Sequence, residues 1–519
     1  MNVQKLILAF FIVVGATITS CSKDDTVAVE TKIIPYDFEA IVDEMPPMGY
    51  EIGQLLASTN RGTLTYTLLE QSAHEAIAVD GATGKLTVSN PAKFVYELNP
   101  IITATTRVSN DQVSEEIKIT LTLTKAVNKK VYNGTINLRS QEDVNAFGSE
   151  DYTHISGTLN IGKFLDGELS DIHDLSPLTS LEYIGKNLIV GLNPELTNLN
   201  GLDNLTHISS MIFISSNKQL RSIQNLKNVP GHYLTLFIEN NEALENLNGL
   251  EKLETLTGLR ILDNPVLRNI NGLIGVKQGG EVRITNNPQL IDFSGLENME
   301  SAMGGIYIQK NESLTNIDAL IGLKYVKETI MITNNSSLVQ IDGLRNIQEW
   351  GQSVKIIGND ALQNINSLEF LQIANSVEIS NNSSLTDIIG LSNLINARFL
   401  YIDNNPGLQS ISPLTNLRAA GFLSISGNTH LIDLTGLAGL KTLSDRLKIN
   451  FNPSLLTLAG LEQLTSVSGK FEIKSNLALT DFCALSPDLI ENGIAGQYDV
   501  RENAFNPSKS DLINGNCRL

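Results

Sequence analysis

Leu400-Tyr401-Ile402-Asp403-Asn404-Asn405-Pro406-Gly407-Leu408-Gln409-Ser410-Ile411-Ser412-Pro413-Leu414 is one copy of a phrase that this chain repeats. With an asparagine as origin, the copies fall at Asn193, Asn217, Asn241, Asn264, Asn287, Asn311, Asn335, Asn359, Asn382, Asn405, Asn428, Asn452 and Asn476, always 23 or 24 residues apart. A leucine stands three residues after every origin, from Leu196 to Leu479, and another nine after it, from Leu202 to Leu485. Six after it stands Leu, Ile or Phe. Five and three residues before it sit two apolar residues, such as Leu236 and Ile238, with a variable residue between them. That alternation belongs to a short strand with one face turned inward.

No single copy can bury its apolar face without a neighbour, so the copies must stack. One strand per turn of about 24 residues builds a parallel sheet, and parallel crossovers are right-handed in roughly 98% of cases. The expected fold is mostly β: a right-handed parallel solenoid with a leucine-filled interior. An asparagine amide both donates and accepts, so stacked copies can satisfy backbone groups left unpaired as the chain leaves the strand. The glycine eight residues after the origin, as at Gly249, Gly272, Gly295, Gly343, Gly390, Gly436 and Gly460, predicts a second turn at positive φ.

The 519 residues exceed one ordinary domain and leave room for one module besides the array. A formal charge of −19 argues against a phosphate backbone as partner, and so against nucleic acid. Three cysteines, Cys21, Cys483 and Cys517, are too few for a disulfide-rich scaffold or a cysteine metal cluster.

Residues 1–20 carry Lys5, an apolar run from Leu6 to Val14 and small residues before Cys21, the pattern of a secretory signal too short to span a membrane. Residues 21–30 then read as a tether. From 31 to 126 the pattern becomes alternating strands separated by turns, about enough for a β-sandwich. Gly81-Ala82-Thr83-Gly84-Lys85 has glycines too close for a phosphate loop and reads as a hairpin turn. Residues 127–187 start the solenoid with a strand at Ile136 and Leu138, a helix capped by Ser140, and a strand at Leu159 and Ile161. The regular repeats occupy 188–486. In the cap over 487–519, Tyr498, Val500 and Asn503 repeat the pattern once more, but Asn506 replaces the leucine. A disulfide between Cys483 and Cys517 would pin this segment over the end of the core, and export permits it; free thiols are the other reading.

Three resemblances attach to these residues. Ile18-Thr19-Ser20-Cys21 resembles the lipobox of bacterial lipoproteins, and Ser22-Lys23-Asp24-Asp25 an acidic surface-export signal, which together imply lipidation at Cys21 and an outward-facing outer-membrane anchor. Asp43-Glu44-Met45-Pro46-Pro47, Gly49, Ile52-Gly53, Val79 to Leu86 and Tyr96-Glu97 resemble the pattern of a bacterial cadherin-like domain. That resemblance implies calcium ligands at Glu44 and Glu97. Calcium takes 6–8 oxygens, however, and the acidic stretch is replaced by Ala57-Ser58-Thr59-Asn60-Arg61-Gly62, so surface acids are the reading we favour and calcium the alternative. The repeats, nearly complete at 282–296 and 400–414, resemble the leucine-rich L domains of receptor ectodomains, which bind proteins, peptides or glycans.

The six histidines show no metal-ligand spacing, and no nucleophile elbow or catalytic cysteine is readable. The informative variation lies four residues before each origin, on the outward strand position. There Phe213, Phe237, Arg260, Arg283 and Tyr307 should form one stripe of the residue types that binding hot spots favour; the bland reading is ordinary strand propensity. The expectation is a non-catalytic, lipid-anchored surface protein whose solenoid recognises an unidentified protein or polysaccharide. The competing expectation is a solenoid-shaped polysaccharide lyase or hydrolase.

Overall fold

The computed structural model describes residues 31–110, 112–125, 129–164 and 167–519. The signal, the tether and Cys21 lie outside the described residues. The structure is mostly β, and its dominant feature is a 20-stranded sheet that runs from Ile136–Leu138 to Tyr498–Arg501 in chain order. Its strand pairs are parallel and advance one repeat at a time, as in Leu236↔Leu259 and Phe237↔Arg260.

Each turn delivers apolar side chains to one continuous core. Leu236, Ile238, Leu244, Leu247 and Leu250 of a single turn are all 0% exposed. One further position, twelve residues after the origin and occupied by Leu205, Val229, Leu253 and their equivalents, is also buried. Helix α1 (Gln141–Gly148) opens with a Ser140–Asp143 capping box and lays Val144 and Phe147 on the first turns. At the other end Cys483 and Cys517 form a disulfide, and the Phe482 N–H donates to the Cys517 carbonyl at 2.8 Å. Leu512, from the short helix α2 (Lys509–Ile513), joins the core there.

The asparagines form a polar ladder inside this apolar stack, each 0% exposed. The Asn311 N–H donates to Asn335 Oδ1 at 3.0 Å, and Asn335 Nδ2 donates to the Ile308 carbonyl at 3.0 Å. The same bonds recur from turn to turn, so every amide completes the backbone of the turn before it. The ladder has polarity and needs a different residue at each end. Ser170 supplies a hydroxyl to Asn193 Oδ1 at the start, and Asn506 Oδ1 accepts from the Asn503 N–H at 2.9 Å at the finish.

The residue before each ladder asparagine has positive φ, from Leu192 at 59° to Glu502 at 61°. Asn and Gly tolerate that conformation best. The Asn-Asn pairs at 240, 286, 334, 381 and 404 thus divide two duties: the first turns the chain and the second bonds the stack.

The glycine eight after the origin behaves differently from the expectation. Gly249, Gly295 and Gly460 have positive φ, whereas Gly272, Gly343, Gly390 and Gly436 do not and lie in short 3-10 turns. The difference is written two residues on. Where an acid follows, as Glu251, Glu297 or Glu462, its carboxylate accepts the glycine N–H and holds the open turn. Where none follows, the chain takes the tighter 3-10 turn, a conformation that Asn225, Ala319, Ser367 and Pro413 also adopt at the equivalent position of other copies.

Residues 33–124 form a separate β-rich region. One sheet orders Phe38–Asp43, Ser114–Thr124, Ile101–Ser109 and Thr65–Gln71; a second orders Glu51–Gln54, Lys85–Val88 and Ile77–Val79; Ile33–Tyr36 pairs with Leu56–Thr59. They share an apolar cluster that includes Leu86, Phe94, Ile102 and Leu121. Residues 81–84 turn between antiparallel strands, with Asp80 Oδ1 accepting from the Thr83 N–H at 2.7 Å.

Candidate binding surface

The outward column of the large sheet is in register throughout: Ile189, Phe213, Phe237, Arg260, Arg283, Tyr307, Met331, Lys355, Glu378, Tyr401, Ser424, Lys448 and Glu472 face one another in succession. Register alone brings the five candidate residues together. They are half-buried, because neighbouring strands about 4.8 Å apart press their side chains sideways. Phe213 meets Phe164 edge-on at 4.9 Å and Phe237 at 6.2 Å. The Arg260 guanidinium lies 4.8 Å from the Phe237 ring centre, and that of Arg283 lies 4.0 Å from the Tyr307 ring. Both arginines reach Glu281 Oε1 at 3.3 Å. The stripe is therefore aromatic and cationic, with one carboxylate shared between its two guanidinium groups. Sequence reasoning missed Glu281, which lies two residues before Arg283 on the same outward face.

Four rungs beyond Tyr307 in the same column, roughly 19 Å at the usual strand spacing, stands a second aromatic group. Tyr401 meets Phe422 edge-on at 5.2 Å, and the Arg446 guanidinium lies 5.5 Å from the Phe422 ring. Burial raises the carboxyl pKa of neighbouring Asp403, while the Ser424 hydroxyl donates to it at 2.8 Å. The column ends in an ion-pair lattice. Lys470 and Lys474 both reach Asp499, at 2.9 and 2.8 Å, and both contact Glu472. Hydrogen bonds from these lysines hold the Asp499 carboxyl down at about 2.

The two calcium candidates sit where the β-rich region meets the array, and Glu44 corrects the favoured surface-acid reading. It is 1% exposed, its carboxylate accepts the Tyr96 N–H at 3.2 Å, and its carbonyl accepts from Lys129 Nζ at 2.9 Å. Glu97 is exposed and pairs with Lys125 at 2.6 Å, a hydrogen bond that lowers its pKa. Among the described residues no three His, Cys, Asp or Glu side chains gather where they could hold a metal ion. With an ammonium bonded to Glu97, these residues do not fit an ion that needs 6–8 oxygens.

Beside these groups Met45 and Val95 pack on Tyr183 and Val131, an apolar patch next to the Lys129–Glu44 hydrogen bond. Tyr183 is stacked between His154 and His207, with ring centres 5.2 and 4.5 Å away. Burial, reinforced by the nearby Lys129 charge, depresses the His154 pKa to about 3. Burial alone takes His207 to about 4. The repeated Thr-His-Ile-Ser at 153–156 and 206–209 was the signal in the sequence that could have found this stack.

No family model matches this chain, and no curated protein matches it. Among solved structures it is similar to the protocadherin gamma-B4 extracellular domain, at 13% identity over 22% of this chain and 21% of that one, with a TM-score of 0.17. It is similar also to cadherin domains 1–4 of protocadherin gamma-B7, at 15% identity over 19% of this chain and 25% of that one, again with a TM-score of 0.17. A third is the EC1-2 fragment of human protocadherin-24, at 17% identity over 19% and 49%, with a TM-score of 0.16. The chain thus spans about a fifth to a quarter of the length of the first two. Likenesses this slight carry no weight for function. No helix among the described residues is long and apolar enough to cross a membrane.

Proposed function

We propose that this chain is a non-catalytic, lipid-anchored surface protein of the outer membrane. In this reading a cadherin-like β-sandwich, fixed near the Cys21 anchor, carries a right-handed leucine-rich solenoid akin to receptor L domains. The outer face of the solenoid sheet recognises a protein or polysaccharide. One observation carries the reading: Phe213, Phe237, Arg260, Arg283 and Tyr307 occupy consecutive rungs of an outward column that the core leaves free to vary. Aromatic and arginine side chains so grouped are the anchors that interfaces use. Calcium has no part in this reading, since the Glu97 carboxylate is paired with Lys125 and that of Glu44 is buried against the Tyr96 N–H.

The test is binding of the intact chain to arrays of glycans and proteins, followed by substitution. Phe237→Ala and Arg260→Ala should each weaken a captured ligand by more than about 1 kcal/mol. Lys448→Ala, far along the same column, should leave it unchanged. Turnover of a glycan into shorter products would replace this reading with the lyase or hydrolase. For the anchor, metabolic lipid labelling should vanish in Cys21→Ala.

A further inference from the structure

We propose a second binding site, in the cleft between the β-rich region and the array, for a sugar ring of a neutral glycan. A cavity of about 440 Å³ opens there, within the roughly 300–1,000 Å³ typical of ligand sites, which favour domain junctions. One wall is the sheet that pairs Ala78 with Thr87. The other is Tyr233, in the middle of the three register shifts between Gly231 and Thr235 where Gly231–Glu239 pairs with Leu253–Leu262. Tyr233 is the residue skipped by that pairing, has φ of 61°, and is 66% exposed. A bulge of this kind re-aims a side chain, and a bulky residue at positive φ persists only where its surroundings impose it. Met45, at φ 55° and buried against Tyr183, is a second strained residue at the same junction, contributed by the opposite side.

The lining chooses the occupant. Met48, Ala78 and Val88 make an apolar floor, while Thr87, Ser89 and Tyr233 each bring a hydroxyl. None carries a charge at neutral pH, so an anion or cation would lose its hydration without compensation. A wholly apolar occupant would bury three hydroxyls without partners, which costs binding. A neutral sugar ring has an apolar face for the tyrosine and hydroxyls of its own for the rim. Ala78 and Gly49 are exposed, so a chain end or a loop of glycan can enter.

This site is independent of the sheet face. The test is calorimetric titration of the whole chain with neutral oligosaccharides of glucose, mannose, galactose and N-acetylglucosamine, beside an uncharged apolar peptide. Tyr233→Gly keeps the positive φ and removes the ring, and Ala78→Arg fills the cleft from the other wall. Each should weaken a bound neutral oligosaccharide roughly tenfold or more with the thermal midpoint unchanged, while Tyr233→Phe should lose less than about fivefold. Absence of binding by every neutral series overturns the proposal, as does preference for the peptide or an unchanged affinity in Tyr233→Gly. Loss in Phe237→Ala with none in Tyr233→Gly would place the glycan on the sheet face, so this proposal would fall while the sheet-face reading stands.

Discussion

Leu236 and Ile238 turn inward and Phe237, between them, turns outward, so one strand of the array carries two different kinds of information. Inside, each turn repeats its neighbour, because a core of stacked leucines and a ladder of amides works only when every rung supplies the same groups. Outside, Phe237, Arg260, Tyr307, Lys355, Glu378 and Ser424 follow one another without a period. The packing of the inner face leaves the outer one unconstrained, so variation there is where recognition can be stored. The sharpest way to test this is to perturb the two faces of neighbouring turns and compare the costs.

The largest cost should come from the ladder. Asn335→Ala removes the acceptor of the Asn311 N–H and the donor to the Ile308 carbonyl, and neither can reach water. At about 1–3 kcal/mol for each orphaned group, the loss should be about 3 kcal/mol or more, read as a shift in the urea midpoint. Asn335→Asp should not rescue it, since a carboxylate has no proton to give the carbonyl. A loss well under about 1 kcal/mol would mean that the asparagines are not the internal scaffold described. Leu338→Ala, three residues on and 0% exposed, should follow at about 2–5 kcal/mol through the cavity it leaves.

Both predictions rest on residues legible in the sequence, because a periodic position must have a periodic environment. The Asn-Asn pairs were equally visible, but their division of labour needed the backbone angles. The two kinds of glycine turn are a different case. The acid that separates Gly249 from Gly343 was in plain sight at Glu251, yet its effect depends on whether a carboxylate two residues on can reach the glycine N–H, which is a matter of geometry. On the outer face, register was predictable and contact was not. Reading only the position four before the origin hid Glu281, and with it the carboxylate that Arg260 and Arg283 share.

The junction between the regions offers a prediction of intermediate size. His154 and His207 are held neutral, with pKa values depressed below the ordinary 6.5 to about 3 and about 4. Between those values and 6.5 the unfolded chain binds protons that the folded one does not, so stability rises with pH across that window. This contribution is complete above about 6.5 and is lost as the pH falls toward 4. Urea midpoints should therefore decline from pH 6.5 to 5, before most carboxylates titrate, and His207→Phe should flatten the decline. An equal decline in that variant would assign the acid sensitivity elsewhere.

The smallest effects belong to the outer column, and they sharpen the comparison by grading it. Phe237 is half-buried between Phe213 and Arg260, so Phe237→Ala should cost about 1 kcal/mol of stability, which is more than a bare surface change. Lys355 has only Glu378, 3.5 Å away, and both side chains are about a third exposed. Screening and side-chain entropy leave such a pair little net value, so Lys355→Ala should shift stability by no more than about 0.5 kcal/mol. Strand Ser353–Ile357 tests the two faces within four residues of chain, because Val354 and Ile356 flank Lys355 and point into the core. Ile356→Ala should cost about 2–5 kcal/mol beside this near-silent neighbour. Equal costs at 355 and 356 would show that outward side chains carry the fold as the inward ones do, and the freedom on which the sheet-face reading depends would be gone.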